Sequence, residues 1–306
     1  MQRLSPPGDH AFQAGRNFLA LPEENCGFNQ SLGLVLPVPY EATTSYKGGT
    51  REGPRAILDA SAQVELYDAE LDYEPALKWG IHTLPFLAPD LRSPASALEG
   101  IASAVAHFAS PNKLLGILGG EHALSVGVAA GLHQVFGDFV TVQLDAHADL
   151  RDAYEGTPYS HACAARRISE TGPVIQLGIR SLDITEAQFL REHGDQVTSF
   201  SADAMHQSRA PLETLIQRIT GKKVFFTLDV DVMDPSIMPS TGTPEPGGLS
   251  WHQVLEVVRI LASHSEVIAF DCVELSPIPA LHAPDFLAAK LVYKIFSLIL
   301  HHRHLV

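Results

Sequence analysis

Residues 139–150 read FVTVQLDAHADL, and the character of this stretch changes halfway along. Val140, Val142 and Leu144 alternate with Thr141 and Gln143, the period of a β-strand. Asp145, His147 and Asp149 then place a carboxylate or an imidazole at every second position. Side chains at i, i+2 and i+4 of an extended segment project to one side, so this spacing predicts two carboxylates and an imidazole around one small volume. Three such groups are not core residues, and an apolar strand leading straight into them argues against idle surface. Like charges gathered this way need a cation. The stretch reads as a metal site whose remaining ligands lie elsewhere in the chain.

Working outward, apolar runs alternate with helical stretches. Strands are expected at 32–38, 80–84, 113–118, 172–178, 197–200, 223–228 and 266–270, in addition to the opening one. Helices are expected from Pro54 through Ala60 and at 93–108, 123–136, 185–192, 211–219, 250–261 and 284–300. Ser93 is read as a cap with Pro94 in the first turn, and Pro54 also suits a first turn. Such alternation predicts an α/β fold, three α/β/α layers around a mostly parallel sheet. One domain is expected over 1–306, with no internal repeat or linker. Residues 1–30 are polar and irregular, and are expected to form an arm over the surface or over a neighbouring subunit. The glycine-rich stretch 39–54 after the first strand is long enough to be functional or mobile.

Four apolar strands end in acids or histidines. Strand 113–118 runs into His122, 139–144 into Asp145, His147 and Asp149, 223–228 into Asp229 and Asp231, and 266–270 into Asp271 and Glu274. In open α/β sheets, sites form outside the carboxyl ends of the strands, so these four ends are expected to share one crevice. His122, Asp145, His147, Asp149, Asp229 and Asp231 are too many ligands for one ion if some carboxylates bridge. They suit two ions about 3.5–4 Å apart, which together acidify a water for attack at neutral pH. Donors that are all oxygen or imidazole, with no thiolate, favour Mn²⁺ over structural Zn²⁺.

The formal charge of −14 argues against nucleic acid and is compatible with a small cationic substrate. Three cysteines at irregular spacing suggest a reducing compartment. No run is long and apolar enough for a membrane span, and no signal-type core opens the chain, so a soluble cytoplasmic protein is expected.

The motifs GGEH (119–122), DAHADLRD (145–152), DVDVMDPSIMPSTGTPEPGGLS (229–250) and ELSP (274–277), in this order, resemble those of the ureohydrolases, the arginases and agmatinases. The resemblance covers most of the chain from the strand at Leu32. It implies an arginase-like three-layer fold and two Mn²⁺ per subunit. It also implies attack of a bridging hydroxide on a guanidinium carbon, giving urea and an amine. By motif position, His122, Asp145, Asp149 and Asp229 would bind one manganese. Asp145, His147, Asp229 and Asp231 would bind the other, with Asp145 and Asp229 bridging. His161, in GTPYSHACAARR, matches the histidine of the substrate loop that shuttles protons, and Glu274 the acid that receives the guanidinium; Asp231 counts with them as catalytic. A planar guanidinium suits one carboxylate bidentately, and the leaving amine needs a proton that His161 could deliver. Relatives form trimers and hexamers, so a homo-oligomer is expected.

Arginases follow the metal stretch with an asparagine- and serine-bearing loop that holds the substrate α-carboxylate. Here the loop reads RDAYEGTPYSH, similar to the agmatinase branch. The implied reaction is agmatine to putrescine and urea, a step of polyamine biosynthesis, with Asp152 or Glu155 facing the terminal ammonium. Arg151 could equally receive a carboxylate, so guanidinobutyrate, guanidinopropionate and arginine stand as alternative substrates.

Two other classes compete. A binuclear metallophosphatase needs a later Gly-Asn-His-Glu or Gly-Asn-His-Asp, and neither occurs. A non-catalytic metal-binding regulatory relative would have lost a ligand, and all six are present. Cys163 reads as inert and Ser125 lacks the first glycine of a nucleophile elbow. Asp234-Pro235 reads as a turn, Asp271 as either a partner of the site or a plain strand-end acid, and His301, His302 and His304 as a solvated helix end.

Overall fold

Buried apolar strands separated by helices pair in parallel, because each crossover brings the chain back to the same end of the sheet. The computed structural model describes residues 17–305. Its strands are β1 (Gly33–Val38), β2 (Ile81–Thr83), β3 (Leu114–Gly119), β4 (Val140–Leu144), β5 (Val174–Ile179), β6 (Val197–Ser201), β7 (Lys223–Asp229) and β8 (Glu266–Val273). They form one sheet in the order β2-β1-β3-β8-β7-β4-β5-β6. Each pairing among the described residues is parallel, so the sheet is entirely rather than mostly parallel.

The helices are α1 (Gly53–Ser61), α2 (Pro75–Trp79), α3 (Pro94–Phe108), α4 (Leu124–Phe136), α5 (Ala164–Ser169), α6 (Ile184–Glu192), α7 (Ala202–Gln207), α8 (Ala210–Ile219), α9 (Trp251–His264) and α10 (Ala283–Leu305). Alternate strand residues face opposite layers. Leu34, Leu36, Leu115 and Ile117 pack with Leu98, Ile101, Val128 and Leu132 of α3 and α4. Val35, Leu114, Val142 and Phe226 pack with Ile57, Val257, Leu261 and Ile295 of α1, α9 and α10. Ser93 caps α3 by accepting the Ser96 N–H at 3.1 Å, as its position in sequence suggests.

Several boundaries differ from the sequence reading, and α2, α5 and α7 lie where no helix is expected; the ends of β8 and α10 have the largest consequences. β8 runs on to Val273, so Asp271 lies inside a strand and not at its end. α10 runs through the terminal histidines to Leu305. His301 Nδ1 lies 3.1 Å from the Tyr73 hydroxyl, and the His304 ring is 5.2 Å from that of Trp79. Packing against the segment around α2 thus carries the helix past Leu300.

Of the expected N-terminal arm, residues 1–16 lie outside the described residues. Phe18, Leu19 and Leu21 are buried in the chain's own core. The Phe18 N–H donates to Thr83 Oγ1 at 2.8 Å, and the Leu19 N–H to Ser61 Oγ at 2.8 Å. Among the described residues no helix is long and apolar enough to cross a membrane.

The topology has one consequence for the site. The four strands that end in acids or histidines are β3, β8, β7 and β4, and they are the contiguous centre of the sheet. Parallel pairing puts all four carboxyl ends on the same edge.

Candidate metal centre

His122 leaves β3 through the glycine pair of GGEH. A Cβ on Gly120 would sit 1.9 Å from the Tyr40 carbonyl oxygen, so only glycine lets the two backbones approach this closely. The turn places the His122 backbone N–H 2.6 Å from Glu274 Oε1, linking the ends of β3 and β8. β4 stops at Leu144, so Asp145, His147 and Asp149 lie beyond the strand. Asp149 takes φ 54° and Glu274 φ 64°, in the left-handed region that non-glycine residues avoid. Backbone in this region is held against its own preference, and such strain concentrates at functional sites.

The three groups therefore do not project to one side as an extended segment would. They divide into two groups that share Asp145: His122, Asp145 and Asp149, and Asp145, His147 and Asp231. His122 Nδ1 lies 3.0 Å from Asp145 Oδ2, 3.1 Å from Asp149 Oδ2 and 3.4 Å from Asp229 Oδ2. His147 Nδ1 lies 2.9 Å from Asp231 Oδ2 and 3.7 Å from Asp145 Oδ1.

Surrounding residues hold the donors in place. His122 Nε2 is 2.9 Å from Thr227 Oγ1; the Thr227 hydroxyl reaches Ser125 Oγ at 3.4 Å, and Ser125 donates to Asp271 Oδ2 at 2.7 Å. Asp271 is thus a remote anchor of His122. Gln176 donates to Gln143 at 2.9 Å, and Gln143 to Asp145 Oδ2 at 2.7 Å. The Ala146 N–H donates to Asp231 Oδ1 at 3.0 Å, and the Asp231 N–H to Asp229 Oδ1 at 2.8 Å. The supporting roles of Thr227, Ser125 and Gln143 escaped the sequence reading, because each occupies an ordinary inward-facing strand or helix position.

The electrostatics favour cations. Burial, and then the Asp149 and Asp231 carboxylates, push Asp145 up to about 7. Burial, and then Asp231 and Asp145, hold Asp229 well above the usual carboxylate range. Glu274 is likewise raised, by burial and then by Glu121 and Asp231. Burial works against the His147 cation, but Asp231 beside it drives the ring up to about 11, while His147 and the Ala146 N–H hold Asp231 low despite its burial. Despite their burial, both imidazoles are driven up by the aspartates around them, so the cage holds too little positive charge for its four carboxylates. His122 Nδ1 is buried and makes no hydrogen bond, although three carboxylate oxygens surround it. An imidazole nitrogen without a hydrogen bond, ringed by carboxylate oxygens, with only oxygen and nitrogen donors, suits divalent metal ions.

The cage floors a cavity lined by Thr44, Ser45, His161, Arg151, Asp183 and Glu186, among others, with Glu274 on its wall. The His161 N–H donates to Thr43 Oγ1 at 3.0 Å, and the Tyr154 ring stands edge-on to the imidazole, 6.1 Å between centroids. Arg151 forms an ion pair with Asp183 and lies 3.9 Å from Glu186 Oε2. Asp152 and Glu155 are not among the lining residues. Asp152 pairs with Arg167 at 2.7 Å on the exposed side of its loop, and Glu155 sits at the tip of a turn with φ 48°. The cavity's outer acids are Asp183 and Glu186 instead. In sequence their spacing signals a helix cap, which they also form at the start of α6.

The Arginase family model matches residues 33–297. N(1)-aminopropylagmatine ureohydrolase of Synechocystis is 40% identical over 270 residues, covering 86% of this chain and 88% of that protein. Agmatinase of Halalkalibacterium halodurans is 34% identical over 258 residues, covering 82% and 86%. Among solved structures, the agmatine ureohydrolase of Thermoplasma volcanium superposes with a TM-score of 0.81 at 27% identity, covering 92% and 94%.

Proposed function

The chain belongs to the arginase family and is a hydrolase of guanidino C–N bonds, and from that premise we propose that it uses two manganese ions to cleave agmatine or its N1-aminopropyl derivative. Water adds to the guanidinium carbon and the C–N bond to the chain nitrogen breaks. Urea leaves with putrescine from agmatine, or with spermidine from the longer substrate.

His122, Asp145, Asp149 and Asp229 would hold one ion, and Asp145, His147, Asp229 and Asp231 the other. When bound, such a pair supplies positive charge and acidifies water. The remaining work falls to the chain. Glu274 spends Oε1 on the His122 N–H. Its other oxygen is available to a substrate guanidinium, whose charge supplies what the raised Glu274 lacks. His161 stands on the cavity wall and would protonate the departing amine nitrogen.

The observation that carries the substrate class is the acid pair Asp183 and Glu186 at the cavity's outer end. It suits a tail bearing ammonium. Arg151 is engaged by Asp183, which disfavours the carboxylate-tailed alternatives guanidinobutyrate and arginine. A homo-oligomer, trimeric or hexameric, belongs to the same reading and is measured by light scattering. The test is urea release from manganese-loaded protein offered agmatine, N1-aminopropylagmatine, arginine, guanidinobutyrate and guanidinopropionate. Turnover is expected on the first two. Preferred turnover of a carboxylate-tailed compound would overturn the substrate class, and silence on all five the manganese-dependent reaction.

A further inference from the structure

We propose, resting on the reading of His161 as the proton donor, that Glu121 is a positioning residue that sets the His161 tautomer through the Thr43 hydroxyl. Glu121 is fully buried and belongs to neither metal-binding group. Its Oε2 accepts the backbone N–H groups of Ala42 and Thr43, each at 2.7 Å, and its Oε1 accepts the Thr43 hydroxyl at 2.7 Å. A hydroxyl has one proton to give. Thr43 gives it to Glu121, so towards every other neighbour Thr43 Oγ1 only accepts.

Two groups of His161 reach that oxygen. The backbone N–H lies 3.0 Å away and ring Nδ1 3.3 Å away. Nδ1 therefore faces, in Thr43, an oxygen without a proton to offer; Ser160 Oγ, also 3.3 Å from Nδ1, can accept as well as donate, so only a protonated Nδ1 satisfies both neighbours. In the neutral ring this leaves the lone pair on Nε2. Nε2 is 3.5 Å from the Ser45 hydroxyl, on the segment that lines the cavity. The Tyr154 ring stands edge-on to the imidazole. The residue next to His122 thus orders the 42–45 segment and makes Nε2 the basic atom of the substrate loop.

The tautomer is directly readable. Protein labelled with ¹⁵N-histidine is loaded with magnesium, which does not broaden the ring signals as manganese would. Spectra are taken at about pH 9, where an ordinary imidazole is neutral. Loss of signals in His161→Asn assigns the ring. Wild type is expected to show a protonated Nδ1 and a pyridine-type Nε2.

In Glu121→Gln the amide oxygen must stay on the two backbone N–H groups, so the amide nitrogen faces Thr43. It donates to Oγ1 and frees the hydroxyl to donate to Nδ1. The tautomer is expected to reverse, and manganese-dependent urea release to fall about ten- to a hundredfold with metal content unchanged. Should Glu121→Gln not fold, Thr43→Ser is expected to keep the wild-type tautomer and Thr43→Val to lose it. A wild-type ring protonated on Nε2 would overturn the proposal, as would a folded Glu121→Gln, or Thr43→Val, with the wild-type tautomer. Tautomers that behave as stated in a protein releasing no urea from any guanidino compound would sink the functional reading and leave this coupling standing.

Discussion

At the inner end of the cavity Asp145, Asp149, Asp229 and Asp231 face two imidazoles and one another, whereas at its outer end Asp183 and Glu186 share Arg151 and a set of N–H donors. The inner carboxylates are buried, and burial raises Asp145 and Asp229. At the outer end, Asp183 is held below its usual range by the Thr185 hydroxyl, the Glu186 and Thr185 N–H groups and Arg151. Glu186 is itself buried and raised by that burial, against which it accepts the Leu150 and Asp183 N–H groups at 2.8 Å each. Both ends are acidic, yet only the inner one lacks compensation from the protein. An uncompensated buried set calls for tightly held ions. A compensated set, half-exposed at Asp183, suits a passing ammonium that competes with an internal cation.

The largest effect is expected where the two inner groups share a residue. Asp145→Asn removes a ligand from both, and a broken buried charge set costs about 3–5 kcal/mol, or about a hundred- to five-thousandfold in rate if expressed at the transition state. Urea assays and elemental analysis would show both turnover and metal content falling. Wild-type metal retention is expected to depend on pH with a definite sign. Because Asp145 is pushed up to about 7 in the metal-free cage, protons compete with metal below that value. Retention should weaken as pH falls through about 7 and recover as it rises. Retention that is flat between pH 8 and 5 would mean the inner end is compensated after all.

His161→Ala comes next, because the residue stands over the cage without belonging to either group. Loss of general acid catalysis lowers kcat about a hundred- to ten-thousandfold, with metal content unchanged. Metal loss in this variant would make His161 part of the inner end. Unchanged turnover would remove His161 from the proton-delivering role.

The inner end was legible in sequence because each of its ligands ends an apolar strand, and polar residues there have no packing role to hide behind. Parallel pairing then gathers them, whatever the intervening loops do. The wrong detail was local: an extended continuation past Leu144 was expected, but the left-handed backbone at Asp149 divides the donors. Thr227 and Gln143 were invisible because an inward polar residue on a strand carries no periodic signature. The outer end was harder still. Asp183 and Glu186 read as a helix cap, which they are, and only the path of the 150–163 loop brings Arg151 to them. Loop path is set by scattered contacts such as the Arg151 N–H to the Ala162 carbonyl, at 3.2 Å, and not by a repeating pattern.

Arg151→Ala tests the outer end alone. Without Arg151, Asp183 keeps its cap contacts and loses its cation, so an ammonium-tailed substrate should bind better. The pair is half-exposed, with side-chain exposures of 34% and 28%, so screening limits the gain. A KM for agmatine about two- to fivefold lower is expected, with no change for butylguanidine, whose tail is uncharged. A higher KM for agmatine would instead mean that Arg151 orders the acids for the substrate.

The smallest effect separates the loop's surface from its cavity side. Asp152 follows Arg151 directly, but its side chain is 80% exposed and turned to Arg167, which Glu170 also holds at 3.2 Å. Asp152→Asn therefore leaves Arg167 with a partner and leaves the cavity lining unchanged. Surface substitutions of this kind shift free energies by about 0.5 kcal/mol at most, so KM and kcat should stay within about twofold of wild type. A KM for agmatine raised more than about fivefold in Asp152→Asn, a change that a fixed-distance surface charge in water does not produce, would move the ammonium seat from Asp183 to Asp152. The outer end would then be an open loop surface and not a walled, compensated pair.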